Sequence, residues 1–153
     1  MEQFVRIADL DDVATLRLLE SEARSQLNHF RGGERLGNEM PSVGDLWSAR
    51  IDSDHWLVLV AGIDNVPLGY LCANMAMLSG VPLIEAVYVN QDVRELGLGD
   101  GLVTAAVEAS RVAGAVAIDA YALPGDRETK NLFERSGLTA RLIIVTKTID
   151  QTQ

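Results

Sequence analysis

Apolar residues recur along this chain with two periods, and the switches between them mark its elements. Residues 5–8 form a short alternating run, and Asp9 and Asp11 can cap a helix directly after it. Val13, Leu16 and Leu19, with Ala14, Leu18 and Ala23 widening the face, repeat at helical spacing to about Gln26. Residues 28–44 keep no clean period and read as a binding loop with short helical turns, followed by a short helix over 45–51. Strands are predicted over 55–61, 68–77 and 83–89, the first two joined as a hairpin through Asp64-Asn65. A helix is predicted from Leu102 to about Ala113, ended by Gly114. A strand over 116–122, a helix capped by Asp126 and stopped at Gly137, and a last strand over 142–149 complete the pattern.

This order, β α (α) β β β α β α β, predicts an α/β (α+β) fold. It implies a mixed, mostly antiparallel sheet of six to seven strands flanked by about four helices, in one domain spanning 1–153. At 153 residues the chain is long enough for one buried core. Composition adds exclusions. With 48% hydrophobic and 23% charged residues, the chain is not a disordered one. No apolar run approaches the roughly 18–20 residues that span a bilayer, and residues 1–6 do not open a signal peptide, so a cytoplasmic protein with no membrane partner is expected. The lone Cys72 forms no internal disulfide and is expected buried and inert; Trp47 and Trp56 are expected in the core. His29 and His55 lack ligand spacing, so no metal is expected. A net charge of −9 argues against nucleic acid and favours a cationic partner.

The chemistry concentrates in residues 87–102. An apolar strand ends at Val89, a polar turn leads to Arg94, and Gly97, Gly99 and Gly101 come next, before an apolar helix. A glycine turn opening a helix is a phosphate site, because bare backbone N–H groups and the helix dipole both face the anion. A dinucleotide fingerprint places its glycines at positions 1, 3 and 6, whereas these fall at 1, 3 and 5. A methyltransferase loop that holds S-adenosylmethionine is suggested by residues 95–101. Such a loop follows its strand directly, and too little chain remains after Gly101 for the βα units that enzyme needs.

Arg94-Glu95-Leu96-Gly97-Leu98-Gly99 resembles the Gln/Arg-x-x-Gly-x-Gly/Ala signature of the GNAT superfamily, the Gcn5-related N-acetyltransferases. Phe133-Glu134-Arg135-Ser136-Gly137-Leu138 is similar to the second signature of that superfamily, and the element order is the superfamily's own. The resemblance implies an acetyl-coenzyme A-dependent N-acetyltransferase acting by direct attack in a ternary complex on a primary amine. It places the cofactor on Val87, Tyr88, Val89, Arg94, Glu95, Leu96, Gly97, Leu98, Gly99, Asp100, Gly101, Asp126 and Phe133. It makes Glu85 the base, and assigns the acceptor to the 28–44 loop, where Arg31, Glu34, Arg35, Asn38, Glu39 and His29 are candidates. The superfamily commonly forms homodimers, and the apolar last strand offers an edge for pairing. Two positions depart from the pattern. Phe133 stands where a tyrosine often serves as acid, leaving Tyr121 or Tyr88 for that role, and Asp126 stands where an asparagine often contacts the cofactor. Asp126 and Asp100 both bring negative charge toward an anionic ligand. The loss of the tyrosine keeps open a non-catalytic acyl-coenzyme A-sensing module of the same fold.

Overall fold

The computed structural model describes residues 1–152. Five strands form one sheet in the order β1 (Gln3–Ile7), β2 (Trp56–Ile63), β3 (Val66–Asn74), β4 (Leu83–Val89) and β5 (Asp119–Ala120). The first four are antiparallel to their neighbours and β5 joins β4 in parallel. The α-helices are α1 (Val13–Ser25), α2 (Gly33–Glu39), α3 (Trp47–Ile51), α4 (Leu98–Val112) and α5 (Arg127–Arg135).

Alternation along β2 sends Val58 and Val60 to one face of the sheet and Leu59 and Ala61 to the other. On the first face α1 and α3 seat Leu16, Leu19 and Trp47 against Tyr70, Cys72 and Tyr88. On the second, Leu98, Leu102, Val103 and Ala106 of α4 and Leu132 and Phe133 of α5 pack against Leu71, Ala73, Ile84 and Val89. The β2–β3 hairpin turns at Asp64 and Asn65, both with positive φ (50° and 70°), the handedness that matches strand twist. Arg6 of β1 grips Asp12 with two hydrogen bonds of 2.7 and 2.9 Å, and Asp12 also accepts the Asp9 N–H. This ties the edge strand to the start of α1.

The architecture matches the fold class read from the sequence, with local corrections. The sheet has five strands rather than six to seven. The strand expected over 116–122 pairs only at Asp119–Ala120, because β5 diverges from β4 beyond them. The strand expected over 142–149 pairs with nothing among the described residues, and Leu142, Ile143, Ile144 and Val145 are 70–87% exposed. An apolar run becomes a strand only where a neighbour offers N–H and C=O groups. The helix expected from Leu102 begins earlier, at Leu98, so Gly99 and Gly101 lie inside its first turn.

Candidate active site

β4 and β5 touch only at Leu83–Asp119 and Ile84–Ala120. From Glu85 onward the outer edge of β4 pairs with no strand among the described residues, and a cavity of about 1050 Å³ occupies the opening. The Asn90 N–H donates to Leu68 O at 2.8 Å, and Tyr88 and Ala86 are paired with Tyr70 and Cys72 of β3. Alternation therefore turns the backbone N–H and C=O of Val87 and Val89 toward the opening. The Val89 carbonyl accepts from Arg94 Nε at 3.0 Å; the Val87 edge is free for a ligand amide.

The opening leads to the glycine turn. Asn90 Oδ1 accepts the Asp92 N–H, a short 3-10 turn runs over Gln91–Leu96, and Gly97 takes a φ of +83° that side chains rarely tolerate. α4 then starts with no side-chain cap. Its first bonded N–H is that of Gly101, which donates to Gly97 O, so the N–H groups of Leu98, Gly99 and Asp100 are left for a ligand. A Cβ on Gly99 would lie 3.2 Å from Leu132 Cδ2, so this glycine lets α4 press against α5. Three bare donors at the start of a fifteen-residue helix fit a pyrophosphate.

Two carboxylates near this cradle, Asp100 and Asp126, are neutralised or occupied. Asp100 accepts from Arg135 Nε and Nη2 at 3.0 and 3.3 Å. Asp126 caps α5 by accepting the Thr129 N–H and hydroxyl at 3.1 and 2.7 Å. Arg94 folds back onto the strand end, pairs with Glu128 and lies 5.5 Å over the Tyr88 ring.

The other end of the cavity is built on a β-bulge. Cys72 opposes Ala86 and Ala73 opposes Ile84, so Glu85 is an extra residue in β4. The bulge resets the side-chain alternation. Ile84 packs on the α4 face, and Ala86 and Tyr88 pack on the α1 face. Glu85 is half-buried, and burial pushes its carboxyl above the usual range, only partly opposed by Arg50 of α3 at 3.7 Å. Arg50 lies 3.6 Å over the Trp56 ring and donates to Cys72 Sγ at 3.4 Å, while burial holds the Cys72 thiol up at about 11. The Tyr88 hydroxyl donates to Glu22 at 3.1 Å; burial first and Glu22 second raise its pKa.

The sequence profile of the Acetyltransferase (GNAT) family matches residues 17–138. The chain belongs to that family. No curated sequence matches it. Solved structures share its fold at low identity. A tetramutant of the BH1408 protein of Bacillus halodurans is 14% identical, with a TM-score of 0.75 over 95% of this chain and 99% of that one. The aminoglycoside antibiotic 6'-N-acetyltransferase AAC(6')-Ih of Acinetobacter baumannii is 16% identical, with a TM-score of 0.67 over 97% and 100%. AAC(6')-Iy, solved with the bisubstrate analogue CoA-S-monomethyl-acetylneamine, is 18% identical, with a TM-score of 0.68 over 97% and 100%.

The GNAT chain brings most of its sequence candidates to one cavity. Glu85, Val87, Tyr88, Val89, Arg94, Glu95, Gly97, Gly99, Asp100, Tyr121, Asp126 and Phe133 all line it. Three do not. Leu98 is buried in the core, Gly101 faces Val5, and Leu96 lies outside, its carbonyl accepting from Gln3. Phe133 is buried and has no proton to give, whereas Tyr121 is half-exposed on the wall. Of the acceptor-loop candidates, His29 reaches the cavity, while Arg35 pairs with Glu39 at 2.6 Å. Glu22 and Arg50 escaped the sequence reading. The available signal was a lone arginine on a short helix whose Trp47 is wholly buried.

Proposed function

We propose that this protein moves an acetyl group from acetyl-coenzyme A to a primary amine by direct attack in a ternary complex. The observation that carries the reading is a single cavity joining the uncapped start of α4, the free Val87 edge and Glu85 on its bulge. The pyrophosphate takes the N–H groups of Leu98 to Asp100, and the amide-bearing arm of the cofactor lies along Val87. Glu85, with its raised pKa, accepts a proton from the acceptor's ammonium, directly or through water. The freed nitrogen attacks the thioester carbonyl, and the Val87 N–H stabilises the oxyanion. Collapse breaks the C–S bond and releases the thiolate, and the second proton shed by the attacking nitrogen reaches that thiolate through water or Tyr121.

Cofactor binding tests this directly. Calorimetry should give binding of acetyl-coenzyme A to the wild type and a large loss in Gly97→Leu, with the fold verified by circular dichroism. A wild type that ignores the cofactor at millimolar concentration overturns the proposal. Phe133 favours one second reading, a binding module that senses an acyl-coenzyme A. Turnover of any amine in a broad acceptor screen removes it.

A second copy of the chain belongs to the same proposal. Residues 142–149 carry exposed Leu142, Ile143, Ile144, Val145 and Ile149, held by Arg141 on Asp119 and by Arg35 on Thr146. An unpaired apolar segment beside a short edge strand is suited to exchange between two copies.

A further inference from the structure

We infer that Arg50 makes the acceptor end of this cavity a site for an amine that also carries a carboxylate a few bonds away, an acceptor of the amino-acid type. The inference rests on the acetyltransferase reading and narrows its substrate class. Five arginines line the cavity, and their partners separate them. Arg24 is spent on the carbonyls of Met40 and Gly37, both at 2.9 Å. Arg94 is spent on Val89 and Glu128, and Arg135 on Asp100. Arg127 sits at the first residue of α5, on the cofactor side. Arg50 alone stands beside Glu85, with 18% of its side chain exposed.

Its donors are largely unused. Nη1 reaches only the weak acceptor Cys72 Sγ, and Glu85 Oε1 at 3.7 Å is an ion-pair partner beyond hydrogen-bond distance. Nε and Nη2 have no partner among the described residues. The Trp56 ring covers the guanidinium on one side, its centroid 3.6 Å from Cζ, which leaves N–H groups for recognition. A planar cation held in this way matches a carboxylate with two parallel hydrogen bonds. Charge gives the same answer. An ammonium and a carboxylate on the acceptor, with Glu85 and Arg50 on the protein, sum to zero. A polycationic acceptor would set like charge against Arg50 in a half-buried place, at a cost.

Matched acceptors test this. Glycine, β-alanine and larger amino acids are compared with their carboxamides by release of coenzyme A thiol, and acetyl-coenzyme A affinity is measured alongside by calorimetry. The expected result is at least a tenfold higher kcat/KM for the acids in the wild type. That ratio should fall toward one in Arg50→Gln and be only partly restored in Arg50→Lys, with cofactor affinity and thermal melting kept. Equal use of acids and amides by the wild type, or a preference that survives Arg50→Gln, overturns the inference while leaving acetyl transfer intact. Should nothing turn over, calorimetry of the same acids on the coenzyme A-loaded protein decides. Binding that Arg50→Gln abolishes supports the inference, and no binding overturns it. Loss of cofactor binding itself is a separate result and strikes the acetyltransferase reading instead.

Discussion

Arg94 donates from Nε to the carbonyl of Val89, five residues back, at 3.0 Å. The same guanidinium, which lines the cavity, ties the glycine turn to the end of β4 and reaches across to Glu128 of α5. On the proposed reading, it holds the shape of the cradle that receives the cofactor. Arg94→Ala should therefore weaken acetyl-coenzyme A binding by about 1.5–3 kcal/mol, the worth of a charged hydrogen bond. Arg94→Lys should recover little of it, since an ammonium cannot serve both partners with the same geometry. Calorimetry on both variants measures this, and a fully active lysine variant would contradict it.

On the proposed reading, Glu85 sets the pH dependence of turnover. A base works in its ionised form, and burial raises this carboxyl above the ordinary glutamate value of 4.5. Activity should therefore fall as pH drops through that raised pKa, on a limb displaced upward from an exposed glutamate's. Arg50 holds the pKa down, so Arg50→Gln should move the limb to higher pH. Glu85→Gln should lose roughly 10²–10⁴ in kcat and the limb with it. A glutamine variant with the wild-type profile would remove Glu85 from the chemistry.

Cys72 should be silent. It is 1% exposed and its thiol is held up at about 11, so almost no thiolate exists at neutral pH. Intact mass after iodoacetamide should show no adduct on the native protein and one adduct in denaturant. Rapid native labelling would mean that the α1 face opens often.

The Arg6–Asp12 pair makes a stability prediction. The hydrogen bonds from Arg6 hold the Asp12 carboxyl below its ordinary value of 3.8. The stabilisation is full above that value and is lost as pH falls below it through the lowered one. Asp12→Asn should cost about 1–3 kcal/mol at neutral pH, and the gap from wild type should shrink in strong acid. Denaturant melts at several pH values report it.

Removing residues 142–153 should change the association state. Sedimentation velocity should show the full chain as a dimer and the shortened chain as a monomer. A monomeric full chain would overturn the exchange of this segment.

Much of this was legible beforehand because it was local. The glycine spacing around Gly97, the Asp126 cap and the Asp64-Asn65 turn are each written within a few residues. The bulge was not. Residues 83–89 look like one unbroken strand, and only pairing with β3 reveals that Glu85 is extra. The Arg50–Glu85 and Tyr88–Glu22 encounters join positions far apart in the chain, and no periodicity encodes them. The 142–149 strand failed for the opposite reason. Its local pattern is strong, but a ladder needs a neighbour, and none lies among the described residues.

The parting of β4 and β5 has a consequence for the working cycle. β5 is stitched to the sheet at only two residue pairs, so this end of the molecule lacks the rungs that a longer ladder would provide. On the proposed reading, the cofactor's amide arm supplies those rungs, and the substrate serves for part of each turnover as a strand of the protein that consumes it. Arrival of acetyl-coenzyme A is then also a small act of folding. Departure of free coenzyme A is a small unfolding, so product release and local order around β5 and α5 rise and fall as one event.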